Sequence, residues 1–438
     1  MNGIFAIAVL VVVALALEAP SIIRDRMDKR KSNEVNALIK TLQESKDSVA
    51  RATAARKLGA LKDPRAGAAL INALNDLDWK VRFEAAMALP VGTEPWGTDA
   101  LTTLLQDENP NVRRAAVWAL GEYADPRALE RVVDVFLRDD EETRETAKAA
   151  LNKWKEPHTV EFLIAALNDP DLAVRARSAQ ALGELGHPKA ILRLQNALAD
   201  PEPQVRAEAI QALGKLEDSS SVETIIAALS DGDENVRNAA AVALGALKST
   251  TAAPSLILAL QDADHRVRIS AIEALVKIKD PQSVAPIIAA LQDPDRSVQV
   301  RAIEALGELG SSEAVGPLLE ILNNQDVALR KKVIQALGNL KNGTVTDRLI
   351  EVLRADNAAR ADAAWALGEL GDKRATEPLV DAIKSDDPAT RYYVARALIK
   401  LGDKSAVAPL ERLYYSETRE YMKNEIAVPL RNLKYSKP

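Results

Sequence analysis

Side chains able to do chemistry at neutral pH are few in this chain and widely scattered. Its 438 residues hold no cysteine and three histidines, His158, His187 and His265. That removes disulfides, thiolate metal sites and a Cys nucleophile, and leaves three candidate proton carriers or imidazole ligands. The histidines stand singly, followed by Thr, Pro and Arg, so no ligand pair is spaced for a metal. The runs Gly183–Gly186, Gly307–Gly310 and Gly368–Gly371 share a Gly-x-x-Gly spacing, but they recur with the chain's own period and read as punctuation, not phosphate loops. No catalytic residue, cofactor site or metal site is assigned.

Charge excludes another class. The net charge is −6, and −8 remains on the body once the basic flank at 24–31 and Glu18 are set aside. Short clusters such as Arg330-Lys331-Lys332 and Lys153-Trp154-Lys155 do not form the basic stripe that nucleic acid requires. Partners are therefore expected to be proteins. With 47% hydrophobic residues, 4% aromatics and ordinary Gly and Pro usage, the chain reads as ordered and mostly helical.

The elements that carry these residues repeat. A leucine recurs at 58, 89, 120, 151, 182, 213, 244, 275, 306 and 337 in steps of 31, then at 367 and 398. Seven residues before it stands arginine in eleven of twelve repeats, with Gln299 the exception. Eleven before it stands Asp in ten, with Asn109 and Glu202 as departures; one before it stands Ala in all but the first. Each unit reads as two helices. The Asp column predicts an N-cap for the second, whose positions −7, −4, −3 and 0 share a buried stripe. The small Ala lets the next repeat approach, and the frequent Gly after the leucine predicts a helix stop. A helix pair cannot cover its own apolar face, so the pairs must stack. The expected fold is all-α, a right-handed α-α superhelix, or solenoid, of about thirteen 31-residue repeats over 32–438 with a degenerate C-terminal cap. It is expected to be monomeric.

Residues 1–23 are a separate segment. Gly3–Leu17 is uncharged and apolar, and the run extends to Ile23 with one carboxylate. About 20 helical residues cross a bilayer. The flank 24–31 carries +3, which places it on the cytoplasmic side of a single-pass anchor. The expectation is thus a membrane protein with a cytoplasmic body. A cleaved export signal ending near Ala14-Leu15-Ala16 is the alternative.

The pattern D-x-D/P-x-x-V-R-x-x-A-x-x-A-L-G-x-L resembles the HEAT repeat of the phycobilisome-lyase-like (PBS lyase HEAT-like) family over nearly all of residues 32–434. The resemblance implies that second helices line a concave surface and that an Asp–Arg ladder ties neighbouring repeats. Its matching arginines are Arg82, Arg113, Arg175, Arg206, Arg237 and Arg268, with Asp169, Asp200, Asp231 and Asp262 among the acids. Asp76, Asp107 and Asp293 match too, whereas Asn324, Arg354 and Ser385 occupy the last three acid positions. Gln299 loses the ladder cation, and Arg301 beside it is expected to point outward. A related HEAT enzyme, deoxyhypusine hydroxylase, holds iron through His-Glu pairs, and this chain has none.

Aromatic residues are unevenly placed. None lies between Leu163 and Ala364; Trp79, Phe83, Trp96, Trp118, Tyr123, Phe136, Trp154 and Phe162 crowd the early repeats; six of seven tyrosines follow residue 391. Position −2 of the second helix is mostly polar, but Met87, Trp118 and Trp365 break that rule. Together with Trp96, in the remodelled turn 90–97, and with Tyr393 and Arg396, they are the candidate partner-binding residues. The reading is a non-catalytic, membrane-anchored protein-interaction scaffold. The alternative is a lyase-like enzyme or pigment chaperone, which predicts a deep pocket of acidic and aromatic residues near Trp118.

Overall fold

A repeat too small to bury its own apolar stripe is stable only against its neighbours, and the structure shows how close those neighbours come. The computed structural model describes residues 29–89, 97–154 and 158–435, which are helical with no strand among them. They fall into two units, divided between Leu185 and Gly186. The first contains a helix over 29–44 (α1), α2 (Ser48–Leu61), α3 (Gly67–Ala73), α4 (Trp79–Ala88), α5 (Thr98–Thr103), α6 (Pro110–Tyr123), α7 (Leu129–Arg138), α8 (Glu141–Trp154), α9 (His158–Ala166) and α10 (Leu172–Leu185). The second runs through α11 (Ile191–Ala197), α12 (Pro203–Lys215), α13 (Val222–Ala228), α14 (Glu234–Leu247), α15 (Ala253–Ala259) and α16 (His265–Ile278). It continues with α17 (Val284–Ala289), α18 (Arg296–Leu309), α19 (Val315–Ile321), α20 (Val327–Leu340), α21 (Thr346–Ala355) and α22 (Arg360–Leu370). It ends with α23 (Thr376–Ala382), α24 (Pro388–Leu401), α25 (Val407–Ser416) and α26 (Glu420–Tyr435).

Within each unit the even-numbered helices stack on one another, α2 to α8 and α12 to α26, and the short odd-numbered ones pack outside them. All twelve periodic leucines are buried. The N-cap column works through its side chains: Asp47, Asp78, Asp264 and Asp326 each accept from the backbone N–H two residues on, at 2.7–2.9 Å. Glu202, whose longer side chain sits in the same column, makes no such bond.

The glycine after the leucine does not stop the helix. A Cβ on Gly245 would lie 2.8 Å from Cα of Ala274, and one on Gly59 or Gly121 would lie 2.7 Å from Cβ of Ala88 or Ala150. Glycine and the Ala of the next repeat are thus two halves of one close approach between second helices. The stop falls three residues later, in left-handed residues such as Lys62, Ala124, Lys248 and Gly310. Gly245→Ala gains about 1 kcal/mol of helix propensity and should still be net destabilising. Overpacking typically costs about 1–3 kcal/mol, and here the obstacle is backbone. A urea midpoint equal to or above the parent's would contradict this.

The single-pass membrane assignment is corrected. No described helix is long and apolar enough to cross a membrane, and even α26, at 16 residues, carries charges along its length. The apolar run 3–23 lies outside the described residues.

Candidate functional site

The arginine column is consumed by the scaffold. Arg237 donates from Nε and Nη2 to Asp262 at 2.7 and 2.8 Å, and from Nη1 to the carbonyls of Asp231 and Gly232 in its own turn. Each such arginine thereby fastens its own inter-helix turn to the acid of the next repeat. Arg51–Asp76, Arg82–Asp107, Arg206–Asp231 and Arg268–Asp293 repeat the geometry at 2.7–2.9 Å. Asp231 is held below the usual carboxylate range, chiefly by the hydrogen bond from Arg206 against desolvation.

Three rungs use acids that the 25-residue spacing does not indicate. Arg113 reaches Asp139, Arg330 reaches Asp356 and Arg391 reaches Glu417, each 26 residues on. In these repeats the first helix has ten residues instead of the usual six or seven, which moves the acid one place along. The degenerate end is therefore tied at Arg330 and Arg391, whereas Arg360, whose ladder position holds Ser385, donates among the described residues only to the carbonyls of Leu353 and Arg354. Other rungs depart further. Asp169 accepts from Arg138 at 2.5 Å, and Gln299 keeps only the bond to the Asp293 carbonyl. Arg301 does not point outward: its side chain is 18% exposed and lies against Glu308 at 2.8 Å and Glu273 at 3.4 Å.

A second set of ties links first helices. The Thr98 hydroxyl donates to Asp125 at 2.8 Å, and Thr346 does the same to Asp372 at 2.9 Å. Asp125 also takes the Arg127 guanidinium at 2.6 Å, and that hydrogen bond, opposed by desolvation, lowers its pKa to about 2. A carboxyl whose folded pKa is depressed stabilises the fold above its unfolded value and loses that contribution as pH falls through about 2. Asp125→Asn should therefore be less stable than the parent at pH 6, and the gap should shrink between about pH 4 and 2. Paired urea titrations check this; a gap independent of pH would contradict it.

What remains unoccupied by structural pairing is an aromatic hollow of 720 Å³ on the second helices of the first unit. Trp79, Phe83 and Met87 recur at i, i+4 and i+8 on α4 and form a ridge along one face. Trp118 on α6 stands in the column of Met87, one repeat on. The flanking positions are small, Ala52 and Thr53 on α2 and Ala115 on α6, so the aromatics are left half-buried. Arg56, Lys80 and Arg114 surround them against a single carboxylate, Glu84. Arg56 lies 3.8 Å from Glu84, Arg114 pairs with Glu142 outside the hollow, and the Lys80 ammonium sits 5.8 Å from the centre of the Trp79 ring.

Met87 and Trp118 thus share one hollow, while Trp365, Tyr393 and Arg396 share another, of 360 Å³, in the second unit. In the latter a Glu369–Lys400 pair at 2.6 Å and Pro429 complete the wall, and Arg396 lies over the Tyr392 ring at 5.6 Å. Trp96 lies outside the described residues. Trp154 is core, with its indole N–H on the Gly121 carbonyl, and Tyr123, pushed up to about 12 by burial, donates to the Leu89 carbonyl at 2.9 Å. Among the described residues no three His, Asp or Glu side chains converge on a metal position. His187 serves as a cap, its Nδ1 accepting from the Lys189 N–H.

The family described as HEAT repeats matches residues 35–90, 91–152, 136–202, 191–276, 222–296, 284–361 and 346–431. Over 54 residues, 12% of the chain, the sequence is 41% identical to the phycocyanobilin lyase subunit alpha of Picosynechococcus sp., a stretch that covers 20% of that relative. Among solved structures, Kap121p bound to Ste12p is similar with a TM-score of 0.63 and 14% identity, over 92% of this chain and 52% of that one. Kap95p, in a structure concerning RanGDP, gives 0.59 and 14% over 92% and 66%. The chain thus spans a fifth to two thirds of these proteins, and the structural likeness speaks to fold alone.

Proposed function

Because this chain belongs to the HEAT-repeat family, we propose that it is a protein-interaction scaffold whose docking surface is the aromatic hollow formed by α4 and α6. The observation that carries this is the ridge of Trp79, Phe83 and Met87 facing Trp118, large apolar side chains left half-exposed together in one recess. Clustered aromatics in a desolvating recess are the residues that dominate protein interfaces. The occupant is an amphipathic helical segment of a partner protein. Its apolar stripe covers the ridge, and its acidic flank meets Arg56, Lys80 and Arg114, a cationic rim on a chain of net charge −6. Kap121p, a solenoid of similar fold, is bound to a protein, Ste12p, in its solved structure.

No reaction is assigned to the surface. The ladder acids and arginines are spent on one another, and the lyase-like alternative expects acids near Trp118 where Glu84 alone lines the hollow. The proposal is tested by placing a photo-reactive phenylalanine analogue at Thr53, inside the hollow, or at Arg131, on a first helix. Expected is a discrete protein adduct from position 53 that disappears with Trp118→Ala. Equal adducts from both positions, or indifference to Trp118→Ala, would overturn the reading.

A further inference from the structure

The glycine of the close approach is replaced by a larger residue at Asn152, Val276 and Ile399, and a cavity lies beside the first of these. In the column where Gly59 and Gly121 let α4 and α8 come near, α8 carries Asn152, and the residue facing it in the repeat pattern is Ala181 of α10. Both side chains line a cavity of 270 Å³, and α10 packs on α7 and α9. Asparagine thus stands where other repeats carry the glycine that admits the next second helix.

The walls are Phe136, Leu151 and Leu163, and the Lys148–Glu184 pair, at 2.7 Å, spans from α8 to α10 beside them. Thr159 also lines the cavity. Its side chain is 3% exposed, and its hydroxyl has no hydrogen-bond partner. An unpaired buried hydroxyl is costly to keep. Asn152 and the Lys148–Glu184 pair supply polar groups on one side of the space, and hydrocarbon lines the other. The space exceeds what one water fills. An apolar cavity of roughly 150 Å³ already accepts a benzene ring.

We propose that this cavity is a binding site for a small organic molecule with a single-ring or similarly short apolar body and one hydroxyl or carbonyl oxygen. The body lies against Phe136, Leu151 and Leu163, and the oxygen pairs with the Thr159 hydroxyl. The site is separate from the aromatic hollow and does not depend on a protein partner.

Phenol and toluene are suitable probes, differing by a hydroxyl in place of a methyl group. Their binding to the purified protein would be measured in solution by ligand-observed NMR titration. Expected is saturable binding of phenol at least about fivefold tighter than toluene, a preference that Thr159→Val abolishes. Asn152→Gly, which restores the glycine, and Ala181→Phe, which fills the space, should each weaken both probes at least about tenfold. Circular dichroism confirms that the variants are folded, and Thr159→Val, which removes only the unpaired group, should melt no lower than the parent. No saturable binding of either probe, equal affinity for the two, or a phenol preference that survives Thr159→Val would overturn the proposal.

Discussion

Arg268→Met should lower the stability of its repeats by about 3–5 kcal/mol, the usual consequence of removing one partner from a buried ion pair. The two side chains are only 10% and 7% exposed, so solvent does little to screen the loss. Arg268 holds Asp293 through two bonds of 2.8 Å and the carbonyls of Asp262 and Ala263 through a third nitrogen. Its removal leaves a carboxylate and two turn carbonyls to find water in a half-closed place. Replacing both partners, as Arg268→Met with Asp293→Leu, should recover at least half of the loss, because no buried charge is then stranded. The Asp293 bond to the Asp295 N–H is still forfeited. Coupling in a repeat array runs between nearest neighbours, so hydrogen exchange should accelerate first in α16 and α18. A single-variant loss below about 1 kcal/mol would show that the ladder is decoration on a fold held by leucine and alanine alone.

The largest expected effect on binding belongs to Phe83→Ala combined with Trp118→Ala. Truncating a central aromatic anchor commonly costs about 2–4 kcal/mol of binding free energy, so the pair should weaken a partner by at least two orders of magnitude. The fold should suffer much less, since both rings are half-exposed and neither belongs to the leucine stripe. Trp365→Ala, in the other unit, serves as the control of equal chemistry. If it weakened the same partner as strongly, the docking surface would not be the hollow of α4 and α6.

The repeat, its buried leucine and its arginine were legible because period alone reveals them. Fine placement was not. Asp139, Asp356 and Glu417 escaped because a first helix of ten residues displaces the acid by one position, which a fixed offset cannot follow. The glycine column was misread as a stop because glycine commonly ends helices. Its partner, an alanine 29 residues later, is recognisable only when two columns are read together. Trp79 and Phe83 carried a usable signal, the i, i+4, i+8 spacing with Met87, but attention to position −2 alone isolates Met87 and Trp118 from them. Asn152 likewise announces the cavity only once the glycine's role is known. The apolar segment 3–23 led to a membrane assignment that no described helix supports.

The most direct test of the docking surface is a selection of displayed helical peptides on the purified protein, followed by affinity measurement of the winners. The account predicts a consensus of apolar residues at i, i+3 or i+4, and i+7 with acidic flanks. It also predicts binding that falls at least about a hundredfold for Phe83→Ala with Trp118→Ala and stays within about threefold for Trp365→Ala. Winners without that pattern, or affinity indifferent to Phe83 and Trp118, would contradict it.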